Sequence, residues 1–200
     1  AGSRRTGPHA PPGCARAPAP GGRMGAPARA PAPRDATEAF RRQLGISCAE
    51  DPAFGWIAEV GLRSALPPRW TSHVDEKSGC LYYVDGSRRS SSWENPLAPA
   101  LRRVLEAGRE YRRQPQDGFF EGQRALLWHE HKSALDRWHG PFADPSGRAY
   151  YANAAEGISS WQDPRVEAQY LFELQSSLLA GLEELLGPPR PRAPPQPSPA

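Results

Sequence analysis

Acidic residues are missing from the first 34 positions of this 200-residue chain, which hold six arginines among proline, alanine and glycine. Such a stretch buries too little apolar surface to offset its ordering entropy, so it is expected to be disordered. The same expectation covers the run GPPRPRAPPQPSPA from Gly187. The chain is +3 overall; residues 1–34 contribute +6, which leaves −3 on residues 35–200. That balance argues against a nucleic-acid footprint on the part that folds. An organelle transit peptide would also lack acids, but the prolines oppose an amphipathic helix and serine is scarce.

Cysteine is sparse: Cys14, Cys48 and Cys80 are odd in number and widely spaced. Without a C-x-x-C pair neither a disulfide framework nor a cysteine zinc site is suggested, and reduced thiols in a cytoplasmic setting are the expectation. No segment approaches the roughly 18 apolar residues of a bilayer span, so no membrane crossing is expected. There is no phosphate-binding loop, no G-x-S-x-G elbow and no dinucleotide fingerprint. The chain is therefore read as non-catalytic, with no cofactor. His129 and His131, two apart on a helix, fall on different sides and make a poor metal pair.

What the sequence does contain is a repeat. Residues 66–96 read LPPRWTSHVDEKSGCLYYVDGSRRSSSWENP, and residues 135–164 read LDRWHGPFADPSGRAYYANAAEGISSWQDP. Trp70 and Trp93 are 23 residues apart, as are Trp138 and Trp161. Tyr82-Tyr83 and Tyr150-Tyr151 start 12 residues after the first Trp of each copy, and Pro96 and Pro164 follow the second Trp by three. Within each copy, aromatic and β-branched residues are divided by turn formers. These are Lys77-Ser78-Gly79 and Asp85-Gly86-Ser87 in the first, Pro145-Ser146-Gly147 and Asn153-Ala154-Ala155 in the second. Two tight turns joining three short strands predict an antiparallel meander in each.

Helical patterns flank both copies. One covers Ala36 to Leu44 and stops at Gly45; the next has Asp51 as N-cap, Pro52 in its first turn and Phe54, Ile57, Ala58 and Leu62 on one face. Leu101, Val104, Leu105 and Tyr111 mark a third, with Pro99 near its start, and Phe120, Leu127, His131 and Ala134 or Leu135 a fourth. Val166, Tyr170, Leu174, Leu178, Leu182 and Leu185 form the stripe of a fifth, closed by Gly187-Pro188. The organisation is then a disordered tail at 1–34, a helical segment at 35–65, a sheet at 66–97 and a helical linker at 98–134. A second sheet at 135–165, an amphipathic helix at 166–186 and a disordered tail at 187–200 complete it. This is an α+β chain of two small antiparallel modules with helices. A sheet of about 35 residues is below the size at which a core is comfortably stable, so the helices are expected to brace it.

Each copy resembles a WW domain, the family named for two spaced tryptophans, and the resemblance covers residues 66–96 and 135–164. It implies that Trp70, Tyr83 and Pro96 form the structural buckle of the first module, and Trp138, Tyr151 and Pro164 that of the second. Because neighbouring strand residues point to opposite faces, Tyr82 with Trp93, and Tyr150 with Trp161, belong on the other side. There they are expected to stand as parallel aromatic walls for a polyproline II segment, with Ser91 and Ser159 completing the family's groove. The resemblance departs at Gly86 and Ala154, where family members that read Pro-Pro-x-Tyr carry histidine. The first loops hold Asp75, Glu76 and Lys77, or Asp144, so a phosphate finds little positive charge. Plain proline or proline-arginine ligands remain, and Pro188-Pro189-Arg190-Pro191 is itself a candidate ligand in cis.

Residues 36–111 also resemble the N-terminal helix-plus-WW region of the large centrosomal protein of basal-body distal appendages. The shared features are a helix, LGI at Leu44, Trp56, a Gly-Leu turn at Gly61, Leu-Pro, the WW core and a further helix. That resemblance implies recruitment of a kinase or a centriolar or ciliary protein, and a place at the centrosome, basal body or cilium. The leading expectation is an adaptor that binds proline-rich protein segments. The alternatives are a structural centriolar or axonemal component using helix contacts, an RNA-processing WW adaptor, and a fragment of an enzyme whose catalytic domain lies elsewhere. The serine run Ser90–Ser92 after Arg88 and Arg89 reads as a turn and strand edge, with a kinase target as the lesser reading.

Overall fold

The computed structural model describes residues 33–76, 78–86 and 88–187. The expectations for residues 1–32 and 188–200, and for Cys14, Lys77, Ser87 and Pro188, fall outside the described residues. Pro33 and Arg34, expected in the disordered tail, belong instead to the first helix. The fold is α+β: two three-stranded antiparallel sheets and five helices. Helix α1 (Pro33–Leu44) and helix α2 (Asp51–Arg63) precede the first sheet, β1 (Trp70–Val74), β2 (Leu81–Asp85) and β3 (Ser90–Ser92). Helices α3 (Ala98–Arg113) and α4 (Phe119–Asp136) follow. The second sheet is β4 (His139–Ala143), β5 (Ala149–Asn153) and β6 (Ile158–Ser160), and α5 (Pro164–Leu186) comes last. Each sheet is a meander with its middle strand in the centre.

The helix boundaries follow local chemistry. Gly45, at φ +72°, ends α1 in a left-handed conformation that costs glycine little. Gly118, also left-handed at φ +71°, is the N-cap of α4, while Gln114 is the C-cap of α3. The cap of α2 is Glu50, where the sequence pointed to Asp51. Its carboxylate accepts from the Ser47 amide at 3.1 Å and the Ser47 hydroxyl at 2.9 Å, while Asp51 instead pairs with Arg41 at 3.0 Å. Pro52 and Pro99 lie in the first turns of α2 and α3, where a missing N–H leaves no intrahelical bond unmade. The Asp163 side chain caps α5 by accepting from the Arg165 amide at 3.0 Å.

The apolar core is helical and draws on all five helices. Phe40 and Leu44 of α1, Phe54 and Ile57 of α2, and Leu101 and Leu105 of α3 are buried against Phe120 and Leu127 of α4 and Leu178 and Leu182 of α5. Close approach needs glycine at particular points. A Cβ on Gly108 would lie 2.8 Å from Phe54 and 3.1 Å from Leu182, and one on Gly181 would lie 2.8 Å from Trp56. The stripe expected on α5 is buried only in its second half. Val166 and Leu185 stay 54% and 61% exposed. A four-residue step overshoots a full turn by about 40° and a three-residue step falls short of one, so both ends of the stripe drift off the face that buries Gln175, Leu178, Leu179 and Leu182. No helix among the described residues is long and apolar enough to cross a membrane.

Helix α5 touches the first sheet as well as continuing the second. Glu167 meets Arg69 at 2.9 Å, Arg69 faces the fully buried Asp85 at 3.4 Å, and Tyr170 donates its hydroxyl to the Ala65 carbonyl. The first sheet is thereby tied to α5 of the helical body.

Candidate functional site

The register of the first sheet sorts its side chains onto two faces. Tyr82 pairs with His73 and Val84 with Ser91, so His73, Tyr82 and Ser91 share one side with Trp93, two residues beyond Ser91. Their rings form a strip: His73 stacks on Tyr82 at 5.5 Å between centroids, and Tyr82 meets Trp93 at 5.9 Å and 72°. The two rings expected as parallel walls are therefore edge-to-face. They make a wall and a floor at a steep angle, an arrangement that the aromatic quadrupole favours.

The second sheet repeats this geometry. Tyr150 meets Trp161 at 6.2 Å and again at 72°, and Ser159 pairs with Ala152 on the same face. Its first strand carries a register shift between His139 and Phe142, where Gly140 and Pro141 intervene. The shift brings Phe142 opposite Tyr150, with ring centroids 5.6 Å apart, into the place His73 holds in the first sheet. A count along the sequence puts Pro141 there, so Phe142 escaped the sequence reading; His73, in a strand without a shift, was missed as well. For Phe142 the signal available was the Gly140-Pro141 pair, since a proline within a strand pattern marks a bulge.

The opposite faces hold the residues expected to be structural. Tyr83 is buried, while Trp70 and Pro96, like Trp138, Tyr151 and Pro164, are half-buried. Burial raises the Tyr83 phenol above its ordinary pKa, and its hydroxyl accepts from the Asn95 amide at 3.2 Å. Asn95 also accepts from the Leu97 amide at 2.9 Å, as Asp163 accepts from Arg165 in the second sheet. Over Tyr151 lies the Arg165 guanidinium, 5.3 Å from the ring centroid. Asp85 and Asn153 hold corresponding turns, each accepting from the amide three residues on, at Arg88 and Glu156.

Charges around the strips are committed to local structure. Asp75 and Asp144 bind the Ser78 and Ser146 amides and hydroxyls at the tips of the first loops. The Ser146 hydroxyl, with the Arg148 amide, holds the Asp144 carboxyl below its usual range. Glu167 moves the other way: burial raises its pKa, and Arg69 opposes that only in part. Arg148 lays its guanidinium over Trp161 at 4.4 Å, a cation–π contact on the groove face.

The helices do not seal either strip. Gln43 of α1 donates to the Trp93 carbonyl at 3.1 Å and accepts from the Asn95 amide at 3.4 Å, while Arg102 of α3 binds Glu94 and the Gln43 carbonyl. These contacts grip the backbone beside Trp93 and leave its ring half-buried, with a buried indole N–H that has no hydrogen-bond partner among the described residues. Trp161 has no such clasp and is 52% exposed. Elsewhere, His129 is exposed while His131 is buried, stacked on Phe172 at 4.8 Å. Among the described residues no three ligating side chains gather as a metal site.

Residues 66–96 match the family model of the WW domain. A 42-residue stretch of the chain is 40% identical to the E3 ubiquitin-protein ligase HECW2 of Homo sapiens and to that of Mus musculus. The match spans 21% of this chain and 3% of the length of each ligase. The first sheet is thus a WW domain, a protein–protein interaction module for proline-rich ligands.

Proposed function

We propose that this chain is a non-catalytic adaptor that captures proline-rich segments of partner proteins in two WW-type slots, one on each sheet. The observation that carries the reading is the common geometry of the strips. Tyr82 with Trp93 and Tyr150 with Trp161 share the 72° ring angle and both stand at a surface. A polyproline II segment is already extended, so it loses little entropy on lying against such rings. Each slot taken singly is small and should bind at roughly micromolar affinity or weaker. Similarity to 3% of a ligase carries no ligase chemistry with it, which is why the reading stays with binding.

The further proposal of a centriolar or ciliary site, with a kinase among the partners, draws on the order of elements in residues 36–111. The clasp of Gln43 and Arg102 on Trp93 and Glu94 supports treating helices and sheet there as one unit. Tagged protein in ciliated cells tests the location. Titration of the purified chain, and of its Trp93→Ala and Trp161→Ala forms, with an array of proline-rich peptides tests the binding. Loss of affinity in both single variants supports two working slots. Peptide binding that survives the double variant would overturn the assignment.

A further inference from the structure

The slot of the second sheet is open, with Phe142 and Trp161 retaining 44% and 52% of their surface. The Arg148 guanidinium lies over the Trp161 ring, so a tail arginine stacks there only by displacing Arg148, while Phe142 and Tyr150 offer ring surface to proline. Residues 188–200 offer both chemistries, with Pro188-Pro189-Arg190-Pro191, then Arg192, and no acid. Charge points the same way. With +6 on residues 1–34 and +2 on residues 188–200, the total of +3 leaves −5 on residues 35–187.

We propose that the Pro188–Pro191 segment of a second copy of this chain occupies the second slot, so that the protein pairs with itself through its own tail. This rests on the proline-binding reading and names a ligand for it. Chain length sets the partner. Trp161 lies three residues before α5, and α5 spans 23 residues, about 35 Å at 1.5 Å per residue. Pro191 is four residues past Gly187 and reaches at most about 14 Å from it even when fully extended. Slot and segment therefore lie at opposite ends of one helix, too far apart to meet in the same molecule. Two copies with their α5 helices antiparallel bring each tail to the other's slot. The contact is then made twice around a two-fold axis, and two weak contacts reinforce each other.

Sedimentation equilibrium of the full chain across the micromolar range tests the pairing. It is run beside a Pro188→Ala, Pro189→Ala, Pro191→Ala variant, whose changes spare every residue of the five helices and two sheets, and beside Trp161→Ala. The expected result is concentration-dependent dimer for the full chain, and monomer for both variants. A synthetic peptide of residues 187–200 should compete the dimer apart and bind the proline variant with unchanged affinity. A chain that stays monomeric, or a dimer indifferent to the proline substitutions, overturns the proposal. If an unrelated proline-rich peptide binds in a Trp161-dependent way and the tail peptide does not, self-pairing fails while the slot assignment stands. If neither peptide binds, the slot assignment fails with it.

Discussion

The buried amide of Asn95 donates to the hydroxyl of Tyr83 at 3.2 Å, tying the segment after Trp93 to the middle strand of the first sheet. Asn95 keeps only 2% of its surface, so no water stands ready to replace that partner. Tyr83→Phe should therefore cost about 1–3 kcal/mol, the usual penalty of a buried polar group left unpaired. Chemical denaturation measures it, and Asn95→Ala added to Tyr83→Phe should cost less than the two single changes summed.

Trp70→Ala should unfold the first sheet, because so small a module depends on each large side chain; loss of a core tryptophan costs on the order of 3–5 kcal/mol. Trp70 is half-buried, which favours the lower end of that range. Trp161→Ala is the contrasting case. Its ring is 52% exposed, so the melting temperature should move little while peptide binding by the second slot disappears. Thermal unfolding and peptide titration of the same two variants separate the roles. A Trp161→Ala protein that melts early would place that ring in the core.

Glu50 gives the stability a pH dependence. Its carboxylate binds the Arg109 guanidinium at 2.7 Å, and that bond, with the Ser47 amide, holds its pKa at about 2. A carboxyl whose pKa is depressed by folding stabilises the fold above its unfolded value near 4.5. That contribution fades as the pH falls through the interval down to about 2. Glu50→Gln should flatten the acid limb of the stability curve there and leave its neutral-pH shape alone, as urea unfolding from pH 2 to 7 will show.

Gly108→Ala should destabilise the helical body by about 1–3 kcal/mol through overpacking. The new methyl would stand 2.8 Å from the Phe54 ring and 3.1 Å from Leu182. Removing residues 35–62 takes away Phe40, Leu44, Phe54 and Ile57 together with the Gln43 clasp on Trp93, so the first sheet should melt at a lower temperature. An unchanged transition would show that the sheet needs no brace.

The spacing of rare residues made much of this legible. Two tryptophans 23 residues apart with a tyrosine pair between them predict strands, turns and faces together, and Tyr83 and Tyr82 do fall on opposite sides. The angle between Tyr82 and Trp93 was not legible, because side-chain torsions and neighbours set it while strand alternation fixes only the face. Phe142 was missed because one bulge shifts every later residue of its strand by one position. The Gln43 clasp was hidden too, since a polar contact across 50 residues leaves no periodic trace. For α5 the stripe was real in part and drifted at its ends. A fixed step of four or three residues keeps adding Val166 and Leu185 while the buried face stays with Leu178 and Leu182.

The grip of Arg69 on Glu167 makes α5 common property of the two sheets. On the two-slot proposal, α5 links both slots to one frame, and the length of that frame sets how far apart they stand. A partner bearing two proline motifs is then measured by the distance between them: affinity should peak at one intervening length and fall away on either side.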